Sequence, residues 1–287
     1  MKKICLILLC AYSMLSFGQN TTAVQDVDLN LGQTSRWENF TYDIGNVFGG
    51  VGYAYSRPLH WENKQWRNFG YTAVGTASLF FVDDEFNGWV DGFRSDVPRW
   101  LANYGNDVAA PGNNYMITSA VYLAGLFTDN EKLRRTGVLL ISSATATGFF
   151  QQIMKRVVGR ARPKTGQNSN VFQPFHFVDF ANYDSFPSGH AMLAFTNAYA
   201  IAKQFENPWV KAGIYAVGSI PGFIRIVDKF HWISDIAFST AFSIFVVEAI
   251  DRFLDTKYTK KYNDKKRKKV VFDLQFTPRQ IGVVMRF

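Results

Sequence analysis

The chain has 287 residues, of which 47% are hydrophobic, and its formal net charge is +8 at pH 7. This length and composition allow one large domain, or one domain with extensions, around a sizeable core. The positive charge is concentrated near residues 155–164 and 257–269 with no nucleic-acid-binding motif beside it, which excludes DNA and RNA as expected partners. The first run is typical of an anion site, and the second of a surface segment near acidic phospholipid.

The N-terminus has the pattern of a secretory signal peptide over residues 1–18. Two lysines precede an apolar run, Ile4–Tyr12, and Gly18 supplies a small residue for cleavage before Gln19. Both cysteines of the chain fall in this segment, so the mature protein would have neither a disulfide nor thiol chemistry. An uncleaved N-terminal anchor helix is the alternative. The sequence thus predicts an exported protein of the cell envelope, either periplasmic, membrane-associated or integral in the membrane.

Residues 19–110 are predicted to form an N-terminal region with amphipathic or interfacial segments. Residues 19–40 are polar and lack periodicity, which is typical of a flexible lead, and the Gly-, Tyr- and Trp-rich residues 41–67 give no clear assignment. Asp83–Pro111 carries tryptophans and aliphatic residues in a pattern that favours an amphipathic helix near an interface.

Six apolar stretches have the composition and length of helices. They predict an all-α fold, a helical bundle of about six core helices, with residues 111–252 as the main helical domain. The stretches are Phe69–Val82, Tyr115–Thr128, Gly137–Met154, Gly189–Lys203, Pro208–Ile224 and His231–Ile250.

The sequence leaves open whether this bundle crosses a membrane. A spanning helix needs about 20 mostly apolar residues, a length that Gly137–Met154 and the uncharged region ending at Thr128 approach, whereas Phe69–Val82 is short. The basic run after the last apolar stretch suits a cytoplasmic end, which conflicts with export of the N-terminus.

The C-terminal part changes its periodicity. A basic linker, residues 253–269, is predicted after the last apolar stretch. Beyond it, apolar residues alternate with polar ones on both sides of Pro278-Arg279. Alternation with a period of two is typical of strands, so residues 270–287 predict a short β-hairpin.

The first of three polar motifs in the apolar C-terminal half is Lys155, six residues, then Arg162 and Pro163. Seven residues are close to two helical turns, so the two cations are predicted to share a helix face, with the helix ending at the proline. An arginine fork and a lysine point charge together suit phosphate oxygens. A basic helix end that complements its own dipole is the alternative.

The second motif is Pro187-Ser188-Gly189-His190. Ser188 is predicted to cap the helix that follows, whose unpaired N–H groups would form an anion site. Gly189 would let the backbone approach the anion, and His190 would lie beside it. A plain helix start with an incidental histidine is the alternative.

The third motif is Arg225, five residues, His231, three residues and Asp235. The histidine and the aspartate are four residues apart, which places them on one face at a helix start. A carboxylate near one imidazole nitrogen would fix the tautomer and leave the other nitrogen as a nucleophile. The alternative, an exposed ion pair, is disfavoured by the apolar neighbours Trp232 and Ile233.

In this order and spacing, the three motifs resemble the signature of the type 2 phosphatidic acid phosphatase and vanadium haloperoxidase superfamily. The chain departs from it at one position, where Ile224 stands in place of the serine that precedes the third-motif arginine. The resemblance covers about residues 115–252 and implies a helical bundle with its site at one end.

The resemblance also implies roles for the site residues. His231 would attack phosphorus and form a phosphohistidine, Asp235 would orient it, and His190 would protonate the leaving group and then activate water. The phosphate oxygens would be stabilised by Lys155, Arg162, Ser188, Gly189 and Arg225. No cofactor or metal is expected, and vanadate is expected to inhibit as a phosphate mimic.

The predicted function is therefore that of a metal-independent phosphatase, a phosphoric monoester hydrolase that acts on a phosphate monoester or diphosphate. The apolar surroundings favour a lipid or polyprenyl phosphate. A soluble nonspecific acid phosphatase, a vanadate-dependent haloperoxidase and a non-catalytic envelope interaction protein are the alternatives. The expected partners are a phosphorylated lipid or a small phosphate ester, and a membrane surface.

Polar residues near the motifs receive other assignments. His60, in a Trp-flanked stretch, is predicted to be structural or interfacial. His176 lies in the loop between the first two motifs and has a smaller claim to contact substrate. Asp179 and Asp184 in the same loop are predicted to be solvated or to cap helices.

Overall fold

The fold of this chain is α-helical. The computed structural model describes residues 35–175, 180–267, 271–277 and 280–286. Nearly all residues of the six apolar stretches lie in helices, with His231 and Trp232 just before the last of them, so the predicted all-α fold is confirmed. The helices are α1 (Arg36–Ser56), α2 (Asn63–Leu79), α3 (Asp83–Asp91), α4 (Arg99–Val108), α5 (Pro111–Phe127), α6 (Glu131–Val158), α7 (Phe180–Tyr183), α8 (Gly189–Ala202), α9 (Pro208–Val227) and α10 (Ile233–Arg267).

The ends of the helices that carry the motifs follow from local chemistry. The side chain of Asn130 accepts a backbone N–H at 2.9 Å and caps the start of α6. The same helix ends at Gly159, whose φ of 59° lies in the left-handed region that glycine adopts readily. Asn207 caps α9 by accepting an N–H at 2.9 Å, and Pro208 follows in the first turn, where no donor is needed.

The main core lies where α5, α6, α8 and α10 meet. Its fully buried side chains include Leu139, Leu140, Val247, Ile250 and Leu254. Burying such a side chain contributes about 1.5–3 kcal/mol. Gly137 lets α6 approach α5 closely, because a Cβ there would lie 2.5 Å from the Cα of Tyr122.

Helix α1 corrects the prediction of a flexible lead for residues 36–40 and supplies the missing assignment for 41–56. Its buried residues recur every three to four positions, as on one face of a helix, but they are polar or glycine and therefore give no apolar pattern. They are Asn39, Asp43, Asn46 and Gly50. Asp43 is 1% exposed, and Arg134 Nε pairs with it at 2.7 Å. A buried ion pair thus holds α1 against the core.

The C-terminal part differs from the prediction at the linker. Residues 253–267 do not form a linker but continue α10 to Arg267. Beyond it, β1 (Val271–Thr277) and β2 (Gln280–Arg286) pair antiparallel, with Val271 opposite Arg286 and Thr277 opposite Gln280. This is the hairpin that the alternating residues predict. The predicted signal peptide, residues 1–18, lies outside the described residues.

Two helices within the described part of the chain are long and apolar enough to cross a membrane, Pro208–Val227 and the segment Ile233–Lys261 of α10. This judgement rests on length and composition alone. The two stretches favoured from the sequence, Gly137–Met154 and the region ending at Thr128, are not among them. The first of these instead supplies buried side chains to the core.

Candidate active site

The three motifs, separated by up to 80 residues of chain, meet at one place. The positive charges of Arg225, Lys155 and Arg162 all act on His190, and those of Lys155 and Arg162 also act on His231. Backbone bonds join the segments: the N–H of Lys164 donates to the carbonyl of Lys229 at 2.8 Å. The site therefore draws on the ends of α6 and α9 and on the starts of α8 and α10.

The first motif reaches the site in a different way from the prediction. Lys155 lies in the last turn of α6, but the helix ends at Val158, so Arg162 does not share its face. Arg162 lies in extended backbone with φ −85° and ψ 148°, and Pro163 begins a 3-10 turn rather than ending the helix. The two cations converge because the chain turns at Gly159.

Arg160, in the same basic run, is 2% exposed and forms a set of buried contacts of its own. Its Nη1 donates to Asp235 Oδ1 at 2.6 Å and its Nη2 to Asp83 Oδ2 at 2.7 Å. Its Nε donates to the carbonyl of Ser169 at 2.9 Å, and Nη1 also contacts the hydroxyl of Ser234 at 2.8 Å. Arg160 is thus a buried structural cation, a role that the sequence did not reveal.

The second motif forms a helix start, as predicted. The hydroxyl of Ser188 accepts the N–H of Ala191 and caps α8. Gly189 lies close to Gln151, because a Cβ there would lie 2.7 Å from Gln151 Oε1 at the far end of that flexible side chain. Gln151 is buried one helical turn before Lys155, and its Oε1 has no hydrogen-bond partner among the described residues. Sequence reasoning missed this glutamine.

His190, in the first turn of α8, is half-buried. Burial, together with the smaller effect of the positive charges of Arg225, Lys155 and Arg162, lowers its pKa to about 4. The imidazole is therefore neutral in the empty site near neutral pH. An anion bound among these cations would counteract their charge and raise this pKa.

His231 is 2% exposed and its ring is held by a backbone group. Its Nδ1 lies 2.5 Å from the carbonyl oxygen of Ser185. Because a carbonyl only accepts, Nδ1 carries the hydrogen, and Nε2 of the neutral ring has a lone pair available. Burial lowers the pKa of His231 to about 3, with Asp235 opposing this shift. The site therefore holds a neutral imidazole in one tautomer.

Asp235 is fully buried but does not bond directly to His231. Its Oδ2 lies 3.8 Å from His231 Nδ1, too far for a hydrogen bond. The same oxygen accepts the hydroxyl of Ser185 at 2.6 Å and the N–H of Trp232 at 2.9 Å. His231 precedes α10, which begins at Ile233, so the predicted shared helix face is wrong. Asp235 instead fixes Ser185, whose carbonyl holds the imidazole.

The guanidinium groups of Arg162 and Arg225 lie over the ring of Phe230, at 5.2 and 4.0 Å from its centroid. Arg225 Nη1 donates to Asn106 Oδ1 at 2.7 Å. The Nε atoms of both arginines are buried and have no hydrogen-bond partner among the described residues. Buried donors without partners are costly, and together with Lys155 they form a site suited to an oxyanion.

Ile224, the departure from the family signature, is fully buried. It packs against Gly105 of α4, where a Cβ would lie 2.7 Å from its Cγ1. The larger side chain at 224 is therefore accommodated by a glycine on the neighbouring helix.

The other polar predictions have mixed outcomes. His60 is exposed, and its Nδ1 lies 3.1 Å from the carbonyl of Ser56, as a structural histidine would. Asp184 is buried and paired with Arg156 at 2.7 Å, so the prediction that it is solvated is wrong. His176 and Asp179 lie outside the described residues. Among those described, no group of three or more His, Cys, Asp or Glu side chains is placed to hold a metal ion.

An apolar cavity of about 570 Å³ lies between α2 and α10. Its walls are mostly phenylalanine and alanine side chains, including Phe69, Ala73, Phe238 and Phe245. Arg160 and Ser234, which both belong to the hydrogen-bonded group around Asp235, also line it. The cavity therefore adjoins the residues that support the site.

Comparisons with known proteins agree with the three motifs. Residues 136–258 match the family model described as the PAP2 superfamily, so the resemblance predicted from the motifs is confirmed over this segment. The segment contains all three motifs but excludes Asp83 and Asn106.

Three similar proteins are named lipid A 1-phosphatase. The one from Rhizobium etli is 30% identical over 108 residues, which are 37% of this chain and 45% of that protein. The one from Rhizobium johnstonii is 29% identical over 108 residues, 37% of this chain and 43% of that protein. The one from Porphyromonas gingivalis is 37% identical over 67 residues, 23% of this chain and 15% of that protein. The chain thus spans less than half the length of each of these relatives.

Proposed function

We propose, from the confirmed resemblance of residues 136–258 to the PAP2 superfamily, that this chain is a phosphatase that hydrolyses a lipid phosphate without a metal ion. One observation carries the proposal: a buried neutral imidazole, His231, lies at a site where Arg162 and Arg225 each keep a buried Nε–H that no described residue accepts. Phosphoryl transfer through a covalent intermediate needs a positioned nucleophile and stabilisation of the charge on the phosphate oxygens.

In the proposed first step, Nε2 of His231 attacks phosphorus and the bond from phosphorus to the leaving oxygen breaks. His190 gives its proton to that oxygen, so an alcohol leaves and a phosphohistidine remains. In the second step His190 takes a proton from water, whose oxygen attacks phosphorus and returns the electron pair to Nε2. Lys155, Arg162 and Arg225 neutralise the equatorial oxygens, with Ser188 and Gly189 at the start of α8.

A lipid phosphate is favoured over a soluble ester by the names of the similar proteins. The three relatives are named as phosphatases of a lipid. We place the protein at the cell envelope, where such a substrate resides.

Phosphate release from a panel of substrates tests the proposal. The panel contains a long-chain diacylglycerol phosphate, a polyprenyl diphosphate and p-nitrophenyl phosphate, and bromide oxidation with vanadate and peroxide is measured in parallel. We expect kcat/KM for a lipid substrate to exceed that for the soluble ester by at least about tenfold, because binding energy from the chain adds to that of the phosphate. A preference for the soluble ester would indicate a nonspecific acid phosphatase. Bromide oxidation alone would indicate a haloperoxidase, and no activity a binding protein.

Chelation and vanadate provide a further prediction. Because three cations surround the anion site, phosphatase activity should survive extensive treatment with EDTA. Vanadate should inhibit competitively, since its five-coordinate form imitates the phosphorus in the transition state. Initial rates with and without chelator, and with graded vanadate, provide the measurement. Loss of activity that magnesium restores would contradict the proposal.

The pH dependence of substrate binding should report Lys155. Burial lowers the pKa of Lys155 to about 8, with Arg162 contributing in the same direction. The ammonium is charged below this pH and attracts the phosphate. Above it the charge is lost, so KM should rise with pH. Lys155→Arg should remove this rise, because a guanidinium stays charged throughout the range. An unchanged alkaline rise of KM in that variant would mean that another group is responsible.

A further inference from the structure

Asp83, the first residue of α3, is joined to the candidate nucleophile through buried polar contacts. Asp83 is 1% exposed, and its Oδ2 accepts Arg160 Nη2 at 2.7 Å. The other end of that guanidinium donates to Asp235 at 2.6 Å. Asp235 in turn binds the hydroxyl of Ser185, whose carbonyl holds Nδ1 of His231. The connection runs without a gap from the N-terminal region to the imidazole.

Ser234 closes this connection into a cluster. Its N–H donates to Asp83 Oδ1 at 3.0 Å and its hydroxyl to Asp83 Oδ2 at 2.6 Å. Arg160 also contacts that hydroxyl, at 2.8 Å. Asp83 therefore fixes both the guanidinium that binds Asp235 and the residue that immediately precedes Asp235.

Aromatic rings enclose the guanidinium of Arg160. Its central carbon lies 4.8 Å from the centroid of Phe80, 5.8 Å from that of Phe172 and 5.5 Å from that of Trp232. A cation removed from water in this way needs matched carboxylates. Asp83 and Asp235 are the two carboxylates that pair with it in the described structure.

We propose that Asp83 is a positioning residue for the reaction, acting on His231 through Arg160 and Asp235. This inference rests on the proposed function, since it assigns Asp83 to the support of that same nucleophile. Asp83 contacts neither the phosphate-binding cations nor His190, and it precedes the segment that matches the PAP2 superfamily. The supporting structure of the site therefore extends into the N-terminal region.

The effect of removing the charge follows from these contacts. Without a carboxylate at 83, Arg160 Nη2 loses its charged partner, and the buried cation must draw more strongly on Asp235. Movement of Asp235 displaces Ser185, whose hydroxyl it binds. Because the Ser185 carbonyl holds Nδ1 of His231, this displacement also changes the orientation of His231 Nε2. Misplacement of a reacting group by about 1 Å can cost about 10²-fold in rate. Phosphate binding should change little, because Lys155, Arg162 and Arg225 keep their places.

Asp83→Asn in the full-length protein tests this inference, with Asp43→Asn as the matched control. Both aspartates are 1% exposed, and each pairs with an arginine at 2.7 Å, but Asp43 lies in the contact that holds α1. Active-site concentration is titrated by the phosphoenzyme burst, so that kcat refers to competent molecules. We expect Asp83→Asn to lower kcat by about 10²-fold and to leave KM within about threefold. Asp43→Asn should lower the Tm but keep kcat within about twofold.

Ser234→Ala provides a second variant, which decides the matter if Asp83→Asn does not fold. It removes a hydroxyl shared by Asp83 and Arg160 and leaves every charge in place, and kcat should fall by about tenfold at constant KM. Unchanged kcat in the folded variants, or an equal loss in Asp43→Asn, would overturn the inference. If the wild-type protein releases no phosphate, or His231→Ala retains activity, the proposed function itself is overturned, and the inference with it.

Discussion

Replacing His231 with alanine is expected to abolish hydrolysis of every phosphate ester that the protein accepts, whatever its leaving group. The imidazole supplies the atom that bonds to phosphorus, so its removal eliminates the first step rather than slowing it. The loss should be at least about 10³-fold in kcat, with any remaining rate due to the cations alone. KM, where it can be measured, should change little, because Lys155, Arg162 and Arg225 still hold the phosphate.

Trapping of the intermediate checks the assignment of the nucleophile. Brief exposure to ³²P-labelled substrate and an alkaline quench should leave acid-labile phosphate on His231, and the label should be absent in His231→Ala. His60→Ala is the control, because His60 is exposed and contacts the carbonyl of Ser56. Label that persists in His231→Ala would assign the nucleophile to another residue.

His190→Ala is expected to have a large effect that depends on the leaving group. An alkyl alkoxide needs a proton as it departs, whereas a nitrophenolate needs little help. Loss of the general acid should therefore reduce hydrolysis of an alkyl phosphate by about 10²–10⁴-fold and that of a nitrophenyl ester much less. The pKa of His190, about 4 in the empty site, should rise when a phosphate dianion offsets the three cations. Wild-type hydrolysis of alkyl phosphates should accordingly decline as pH rises and His190 loses its proton.

The ratio of rates on the two esters, compared between His190→Ala and His231→Ala, provides the measurement. His231→Ala should affect both esters alike and so give no change in the ratio. Decay of the labelled phosphoenzyme should also slow in His190→Ala, because that residue activates the water. Equal losses on both esters, with normal decay of the phosphoenzyme, would mean that His190 has a different role.

Local interactions explain why so much of the helical architecture and of the site could be predicted. The apolar stretches are long, and their ends carry residues with strong local preferences: Asn207 caps α9, and Ser188 caps α8 as expected. Two motifs are short enough for fixed spacing to bring their residues together. His190 comes two residues after the cap Ser188, so it lies in the first turn of the helix. Arg225 and His231 are held together locally, because the N–H of His231 donates to the carbonyl of Arg225 at 3.2 Å.

Only the tertiary structure decided the features that depend on partners distant in sequence. The buried face of α1 is polar, so no hydropathy pattern marks that helix. Burial of Asp43 becomes favourable only because Arg134 pairs with it. Arg160 and Arg162 are two residues apart in one basic run, and the motif spacing selects Arg162 but gives no role to Arg160.

By itself, therefore, the sequence determined the six apolar helices, the cap at Ser188 and the identity of the three motifs, since each depends on neighbours within a few turns. The tertiary structure decided that Arg160 is a buried cation paired with Asp83 and Asp235. Arg160 is buried because Asp83, 77 residues away in sequence, supplies a carboxylate at 2.7 Å. Electrostatic pairing of buried charges depends on distances in space, and the order of residues along the chain does not contain those distances.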